Sequence, residues 1–381
     1  MAPRVIQGTL YLDDQPVVDA FLESIGGCTE IALDTEGASF HRFLDRIYLL
    51  QISTRERSGI IDPLHTGKLP RLGTLLEDRS IQVVFHDADY DLRLLRQDYG
   101  WQVTNIFDTR VAAQLLGFDA FGLAALLDRY FDVKLDKKHQ RADWSMRPLP
   151  DDMLAYAAQD TRFLLQLRDH MHAELVKKGR LHWAKEEFSL LENIQWAPGE
   201  DTDAFLRIKG ARDLTRRELA LLRELATWRD SAARDLDRAT FRVIGNEALL
   251  EIARKAPTKM AELTAIKGTP RALMERAGGE VLAAVLRGVE AREADLPQFP
   301  KPKRWNKDPD FDGRFVLLKT VRDEAATRLQ LDPGVLCSRE RLEAVARSNP
   351  RSIAEVASVQ ELRRWQVEEL AEGFVRILQR G

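Results

Sequence analysis

An α/β domain followed by two all-α helical bundles is the fold class this 381-residue sequence predicts, and three observations carry it. Short apolar segments alternate with helix-period segments through the first 180 residues or so. After Leu181 the strand signal disappears and helical periodicity dominates. Within that helical part the chain repeats itself. Mixed strands and helices argue for helices packed on a central sheet, whereas a purely helical period argues for bundles.

Taken in order, Val17–Ile25 reads as a helix, and Glu30–Glu36 (EIALDTE), Ile47–Ser53 (IYLLQIS), Gly59–Asp62 and Ile81–His86 (IQVVFH) read as short apolar strands. Helical patterns follow at Asp89–Asp98, Thr109–Leu116 and Leu123–Tyr130. One long helix is expected over Asp152–Lys178, with its start signal at Pro150-Asp151 and its stop at Lys177-Lys178-Gly179. Trp196-Ala197-Pro198-Gly199 breaks the pattern, and Leu296–Asp312, rich in proline and charge, reads as an extended linker. The flanking helical stretches repeat each other without gaps: Trp228–Pro257 aligns on Val321–Pro350 at a constant offset of 93 positions. Arg229-Asp230 meets Arg322-Asp323, Ala232-Ala233 meets Ala325-Ala326, and Leu249, Ala253 and Pro257 meet Leu342, Ala346 and Pro350. The shared apolar spacing is that of one small bundle core used twice. The expected division is therefore 1–195, 205–295, a linker at 296–312, and 313–381.

Composition narrows the class further. Hydrophobic residues make up 44% and charged residues 31%, too apolar for a disordered chain. Cys28 and Cys337 offer neither a disulfide framework nor a thiolate metal motif. Met1–Val5 carries no apolar signal core, and no run of about 18 apolar residues could span a bilayer, so a cytoplasmic protein with no membrane association and no obligate protein partner is expected. The net charge of −3 conceals an acidic first half and a mildly basic remainder, a division that suits cations in one part and phosphates in the other.

Candidate chemistry lies on three elements. Strand alternation puts Asp34 and Glu36 on one face of Glu30–Glu36, opposite Ile31, Leu33 and Thr35. Alone, that pair reads first as a solvated strand end with incidental charges. Asp160 falls on the apolar stripe Met153, Tyr156, Leu164, Leu167, Met171, where a carboxylate needs a cation or donors; a salt bridge would serve as well as a metal. In HDADYD, Asp87 and Asp89 read as first-turn acids, while Asp91 shares its helix face with Leu94 and Leu95 and turns inward. Four inward carboxylates could not all stay ionised without hard divalent cations, and no His or Cys cluster has zinc spacing.

Asp34-Thr35-Glu36, then Asp91 after His86, then Tyr156-Ala157-Ala158-Gln159-Asp160 resemble the three exonuclease motifs of the DEDD superfamily, tyrosine subclass. Leu49–Ser53, Phe107-Asp108-Thr109, Asp143-Trp144 and Arg147-Pro148-Leu149 resemble ribonuclease D, and the two repeats resemble HRDC modules. The resemblance implies a ribonuclease H-like α/β exonuclease domain with two HRDC bundles, hydrolysing RNA from a free single-stranded 3′ end to nucleoside 5′-monophosphates. By motif position it implies that Asp34, Glu36, Asp91 and Asp160 hold two Mg²⁺ or Mn²⁺ ions and that Tyr156 orients the attacking water. It further implies tRNA precursors and other stable RNAs as substrates. A DNA-directed exonuclease and a non-catalytic RNA-binding protein are the rival readings. One departure stands out: Val321 replaces Trp228 in the second repeat.

Several residues stay undecided on sequence. Asp108 reads as a helix N-cap. Gln51 reads as a strand-end hydrogen-bonding residue or one near the substrate, and Lys134–Arg141 as a solvated loop or an RNA-backbone contact. Trp144 and Trp196 read as packing anchors before base-stacking platforms, and His170 and His172 face different ways on their helix.

Overall fold

The computed structural model describes residues 3–136, 138–196, 203–300 and 308–379. Each apolar run of the first part becomes a strand. They are β1 (Arg4–Ile6), β2 (Thr9–Leu12), β3 (Glu30–Glu36), β4 (Leu49–Ser53), β5 (Ser58–Ile61), β6 (Gln82–Phe85) and β7 (Ile106–Asp108). Among the described residues these seven form one sheet in the order β1-β2-β5-β4-β3-β6-β7. β3 is interior, antiparallel to β4 and parallel to β6. Three strands escape the sequence reading. β1 and β2 make a hairpin over Gln7-Gly8, both at positive φ, and β7 is three residues long, too short for a period to show.

The helices of this part are α1 (Gln15–Ser24), α2 (Pro70–Glu77), α3 (Asp89–Tyr99), α4 (Thr109–Leu116), α5 (Leu123–Phe131), α6 (Asp151–Asp160), α7 (Leu164–Lys177) and α8 (Leu181–Leu191). The long helix expected over Asp152–Lys178 is two. Thr161 is buried and its hydroxyl bonds Ser53 Oγ on β4 at 2.7 Å, while Leu164 N bonds Thr161 O one residue early, tightening the turn. Phe163 then turns to stack on Phe131. The break lies immediately after Asp160.

The first repeat supplies α9 (Arg216–Asp235), α10 (Thr240–Val243), α11 (Asn246–Lys255), α12 (Met260–Thr264) and α13 (Arg271–Glu290). The second supplies α14 (Phe311–Leu329), α15 (Pro333–Leu336), α16 (Arg339–Ser348), α17 (Ile353–Ala357) and α18 (Arg364–Leu378). The sequence offset holds in atomic detail. Arg229 and Arg322 are both buried, and their guanidiniums donate to the carbonyls of Ile244 and Cys337. Ala256 and Asn349 end α11 and α16 with the same left-handed turn. The lost tryptophan also has a physical account. Trp228 Nε1 donates to Glu280 on α13, and the position equivalent to Glu280 is Gly373, where an added Cβ would stand 2.6 Å from Val321. The polar pair has been exchanged for close helix approach.

The chain forms two compact units. One combines residues 1–36 and 47–196 with the second repeat from Trp305 onward; the other combines the first repeat with residues 37–46. In the latter, Phe40 meets Phe241 edge-on, Arg42 pairs with Asp237 at 3.2 Å, and Arg234 covers Phe43. In the former, one apolar cluster runs from Leu115, Leu116 and Phe188 into Leu318 and Phe374. Trp183 of α8 stacks on Trp365 of α18 at 4.8 Å. Glu187 accepts from the Trp365 indole, and Glu186 accepts from the backbone N–H groups of Arg364 and Trp365, capping α18 from outside its own bundle. At Gly117 (φ +82°) an added Cβ would lie 2.1 Å from the Gln330 carbonyl, so only glycine fits there. The expected linker at 296–312 lies partly outside the described residues. Among the described residues no helix is long and apolar enough to cross a membrane.

Trp365→Ala should cost about 3–5 kcal/mol, as truncation of a buried tryptophan does. It should lower the melting temperature of one transition shared by the sheet domain and the second bundle; two separable transitions in calorimetry would show instead that they fold independently.

Candidate active site

β3 delivers the first two acids as its alternation requires. Asp34 and Glu36 project on one face, and α6, packed over that face, brings Asp160 at its last turn. Carboxylate oxygens of Asp34, Glu36 and Asp160 lie within 4.8 Å of one another. Asp91 does not join that trio but stands beside it. β6 ends at Phe85, so the Thr35 N–H has no strand partner on that side, and Asp91 Oδ1 takes it at 2.9 Å together with the Thr35 hydroxyl at 2.5 Å. Asp91 is 5% exposed and shares its buried face with Leu94 and Leu95, as the helical spacing requires.

No Lys or Arg among the described residues pairs with any of the four, which removes the salt-bridge alternative for Asp160. Their mutual field shows in their proton affinities. Burial, then Asp160, holds Asp34 well above the ordinary carboxylate range; burial, then Asp34, Asp160 and Asp91, does the same to Glu36. Burial and Asp34 raise Asp91 against the Thr35 hydrogen bonds, and burial and Asp91 push Asp160 up to about 7. Such a cluster fits a divalent cation with oxygen ligands, since four acids in one pocket ionise together only against positive charge. Burial and the same acids push the Tyr156 hydroxyl up, so it keeps its proton.

The scaffold behind the acids is largely neutral. The Asp108 carboxylate accepts from the N–H groups of Arg110 and Val111 as the expected N-cap of α4, and also from Asp87 and Ala88. It thereby staples the turn that starts α3 and aims Asp91. Asp89 lies in the first turn of α3, whereas Asp87 precedes it at φ +68°. Sequence reasoning quoted Arg147 without giving it a task. It donates through Nε at 2.5 Å and Nη2 at 2.7 Å to buried Asp62, and through Nη2 at 2.8 Å to the Tyr48 carbonyl, anchoring the loop that enters α6. Tyr11 adds a 2.5 Å bond to the same Asp62. Burial pushes the Asp62 carboxyl up, but the bonds from Arg147 and Tyr11 outweigh it and hold it below the usual range. No local signal could have paired positions 62 and 147.

Trp144 is buried and packs near Tyr156, an anchor as expected, whereas Trp196 is exposed. In the Lys134–Arg141 segment, Lys138 and His139 both reach Asp152 at the start of α6; Lys137 lies outside the described residues. His170 stacks on Tyr130 and shares no site with His172. Gln51 is buried in β4 facing Asp34.

Comparison with known proteins agrees with this geometry. Residues 11–176 match the family described as 3′-5′ exonuclease, and residues 218–285 and 311–378 each match the HRDC domain. Ribonuclease D of Desulfotalea psychrophila is 32% identical over 318 residues, 83% of this chain and 84% of that protein. The chain belongs to the ribonuclease D family. The crystal structure of Escherichia coli RNase D, described as an exoribonuclease involved in structured RNA processing, aligns with a TM-score of 0.74 at 26% identity over 98% of this chain and 99% of that one. The catalytic core of RRP6 from Trypanosoma brucei aligns with a TM-score of 0.67 at 30% identity over 75% and 83%. This ribonuclease D family member is thus an enzyme, a 3′-5′ exoribonuclease, and the non-catalytic reading falls.

The raised carboxyls fix the sign of a pH dependence. A group whose pKa is higher folded than unfolded stabilises the fold below the ordinary carboxylate value of about 4, and that contribution is lost as pH rises through the folded value. For Asp160 the window closes near 7. Metal-free protein should therefore melt lower at pH 8 than at pH 6, and Asp160→Asn should shrink the difference. Identical pH profiles for variant and wild type would contradict the crowding of acids.

Proposed function

We propose that Asp34, Glu36, Asp91 and Asp160 hold two divalent cations, Mg²⁺ or Mn²⁺, for stepwise hydrolysis from a free single-stranded 3′ end, with tRNA precursors among the RNA substrates. The observation that carries this is the meeting of Asp34, Glu36 and Asp160 oxygens within 4.8 Å with no Lys or Arg among the described residues paired to them. Bound divalent ions supply a nucleophilic water at neutral pH and neutralise charge developing on the scissile phosphate. The chain's own part is positional. β3 fixes Asp34 and Glu36 rigidly because it is an interior strand, Thr35 fixes Asp91, and the Ser53–Thr161 bond fixes the end of α6. Tyr156 sits one helical turn before Asp160 on the same helix, where its hydroxyl would orient the attacking water. A cytoplasmic location fits such a substrate and two free cysteines.

The testing experiment is digestion of a 5′-labelled RNA with a 3′ tail, in Mg²⁺ or Mn²⁺, beside EDTA, Asp34→Ala and a single-stranded DNA of matched length. A metal-dependent ladder shortening from the 3′ end is expected, with Asp34→Ala slower by more than about 100-fold, the scale of losing one electrostatic stabiliser. Equal or faster digestion of the DNA would overturn the substrate assignment. Including a tRNA precursor tests the finer claim, which fails if its tail is trimmed no better than an unrelated tailed RNA. Tyr156→Phe should lower turnover by about 100-fold, the scale of losing one preorganised hydrogen-bonding group. It should leave Mn²⁺ binding unchanged in calorimetry; weaker binding would make Tyr156 part of the ion site.

A further inference from the structure

Gln51 is buried in the sheet beneath the acids with both ends of its amide unpaired. It is 1% exposed, and neither Nε2 nor Oε1 makes a hydrogen bond of normal geometry. Leaving a buried polar group unsatisfied costs roughly 1–3 kcal/mol. Leu50 and Ile52 on either side are fully buried, so an apolar residue would suit the strand interior and remove that cost at once. An amide placed here despite the cost calls for a partner.

The register says where that partner lies. Gln51 is paired directly with Asp34, and Glu36 with Leu49, so Gln51 is the diagonal neighbour of Glu36 on the same face. A long side chain reaches across that diagonal. From that diagonal position the Gln51 amide stops short of a formed hydrogen bond. A carboxylate that ligates a cation is ordinarily held by a hydrogen-bond donor on its far side, and the unpaired Gln51 amide is the buried donor that the register brings to Glu36.

We infer that Gln51 is a positioning residue for the metal centre, its Nε2 donating to the Glu36 carboxylate when a divalent cation is bound and so fixing the oxygen that faces Asp34 and Asp160. This rests on the metal reading of the four acids. A role in packing alone would show in the metal-free protein; a role through Glu36 shows only when the ion is added.

The test uses the full chain with Gln51→Met, which keeps length and unbranched shape, and Gln51→Leu as a second apolar replacement. Metal-free melting temperature and Mn²⁺ affinity by calorimetry are measured beside wild type and Asp34→Ala. Both Gln51 variants should melt at or above the wild-type temperature without metal and bind Mn²⁺ about 10–100-fold more weakly, the usual loss when an outer-shell partner is removed. Wild-type Mn²⁺ affinity in both, with Asp34→Ala impaired, would sink the role of Gln51 and leave the site standing. Wild-type affinity in Asp34→Ala would bring down the site and this inference together. A fall in metal-free melting temperature in both Gln51 variants would make Gln51 a packing residue and overturn the proposal.

Discussion

Four carboxyl groups that repel one another set the terms for the structure around them. Burial alone raises the proton affinity of any acid, and Asp62 and Asp34 share that burden. They part company over what faces them. Asp62 has Arg147, Tyr11 and His65, and its carboxyl is held low; Asp34 has Asp160, and its carboxyl is driven up. Arg147 thus pairs with the acid that anchors the α6 approach loop, while among the described residues no Lys or Arg pairs with the acids of the site. Everything that holds the site in shape is a neutral donor or a pairing one step removed: Thr35 on Asp91, four backbone N–H groups on Asp108, Ser53 on Thr161. A lysine or arginine among the four acids would relieve their repulsion and occupy the place proposed for a cation.

Much of this was legible in the sequence because two periods sufficed to read it. The two-residue period placed Asp34 beside Glu36, and the helical period turned Asp91 inward with Leu94 and Leu95. The same helical period failed at Thr161. Apolar spacing ran on unbroken through Leu164, Leu167 and Met171, but a hydroxyl contact to a strand more than a hundred residues earlier ended the helix after Asp160. Periodicity measures which face is buried and carries no record of a tertiary hydrogen bond. Arg147 was opaque for the same reason, since its meaning lies in Asp62 and the Tyr48 carbonyl. Gln51 was visible as a polar residue in an apolar strand, but its unsatisfied amide appears only once the register is known.

The two repeats show one module under different demands. Their buried arginines donate to equivalent carbonyls and their helices end on the same left-handed turns, so the internal logic of the bundle is unchanged. What differs is where each spends its aromatic surface. The first keeps Trp228 bonded to Glu280 within its own core; the second gives up that pair for Val321 against Gly373 and turns Trp365 outward onto Trp183. With Glu186 capping α18 and one apolar cluster crossing the boundary, the second repeat behaves as a wall of the exonuclease domain. A bundle that shares its core in this way cannot be removed without exposing buried surface on both sides. The first repeat carries its own core together with residues 37–46, the segment that follows Glu36 directly in the chain.

That division makes the energetics of the site easier to place. Acids that meet no Lys or Arg among the described residues destabilise the native state more as they ionise, so the rest of the unit has to supply the difference. The shared core of the sheet domain and the second bundle is the natural source, being far larger than either part could bury alone. A ligand that binds the native state alone stabilises it by mass action. A divalent ion that completes the site therefore also relieves the repulsion the fold has been holding in check, and competence for catalysis and resistance to unfolding respond to the same ion. The liability and the proposed function are then one feature: acids left without a Lys or Arg partner among the described residues carry the unmet charge that a divalent ion would balance.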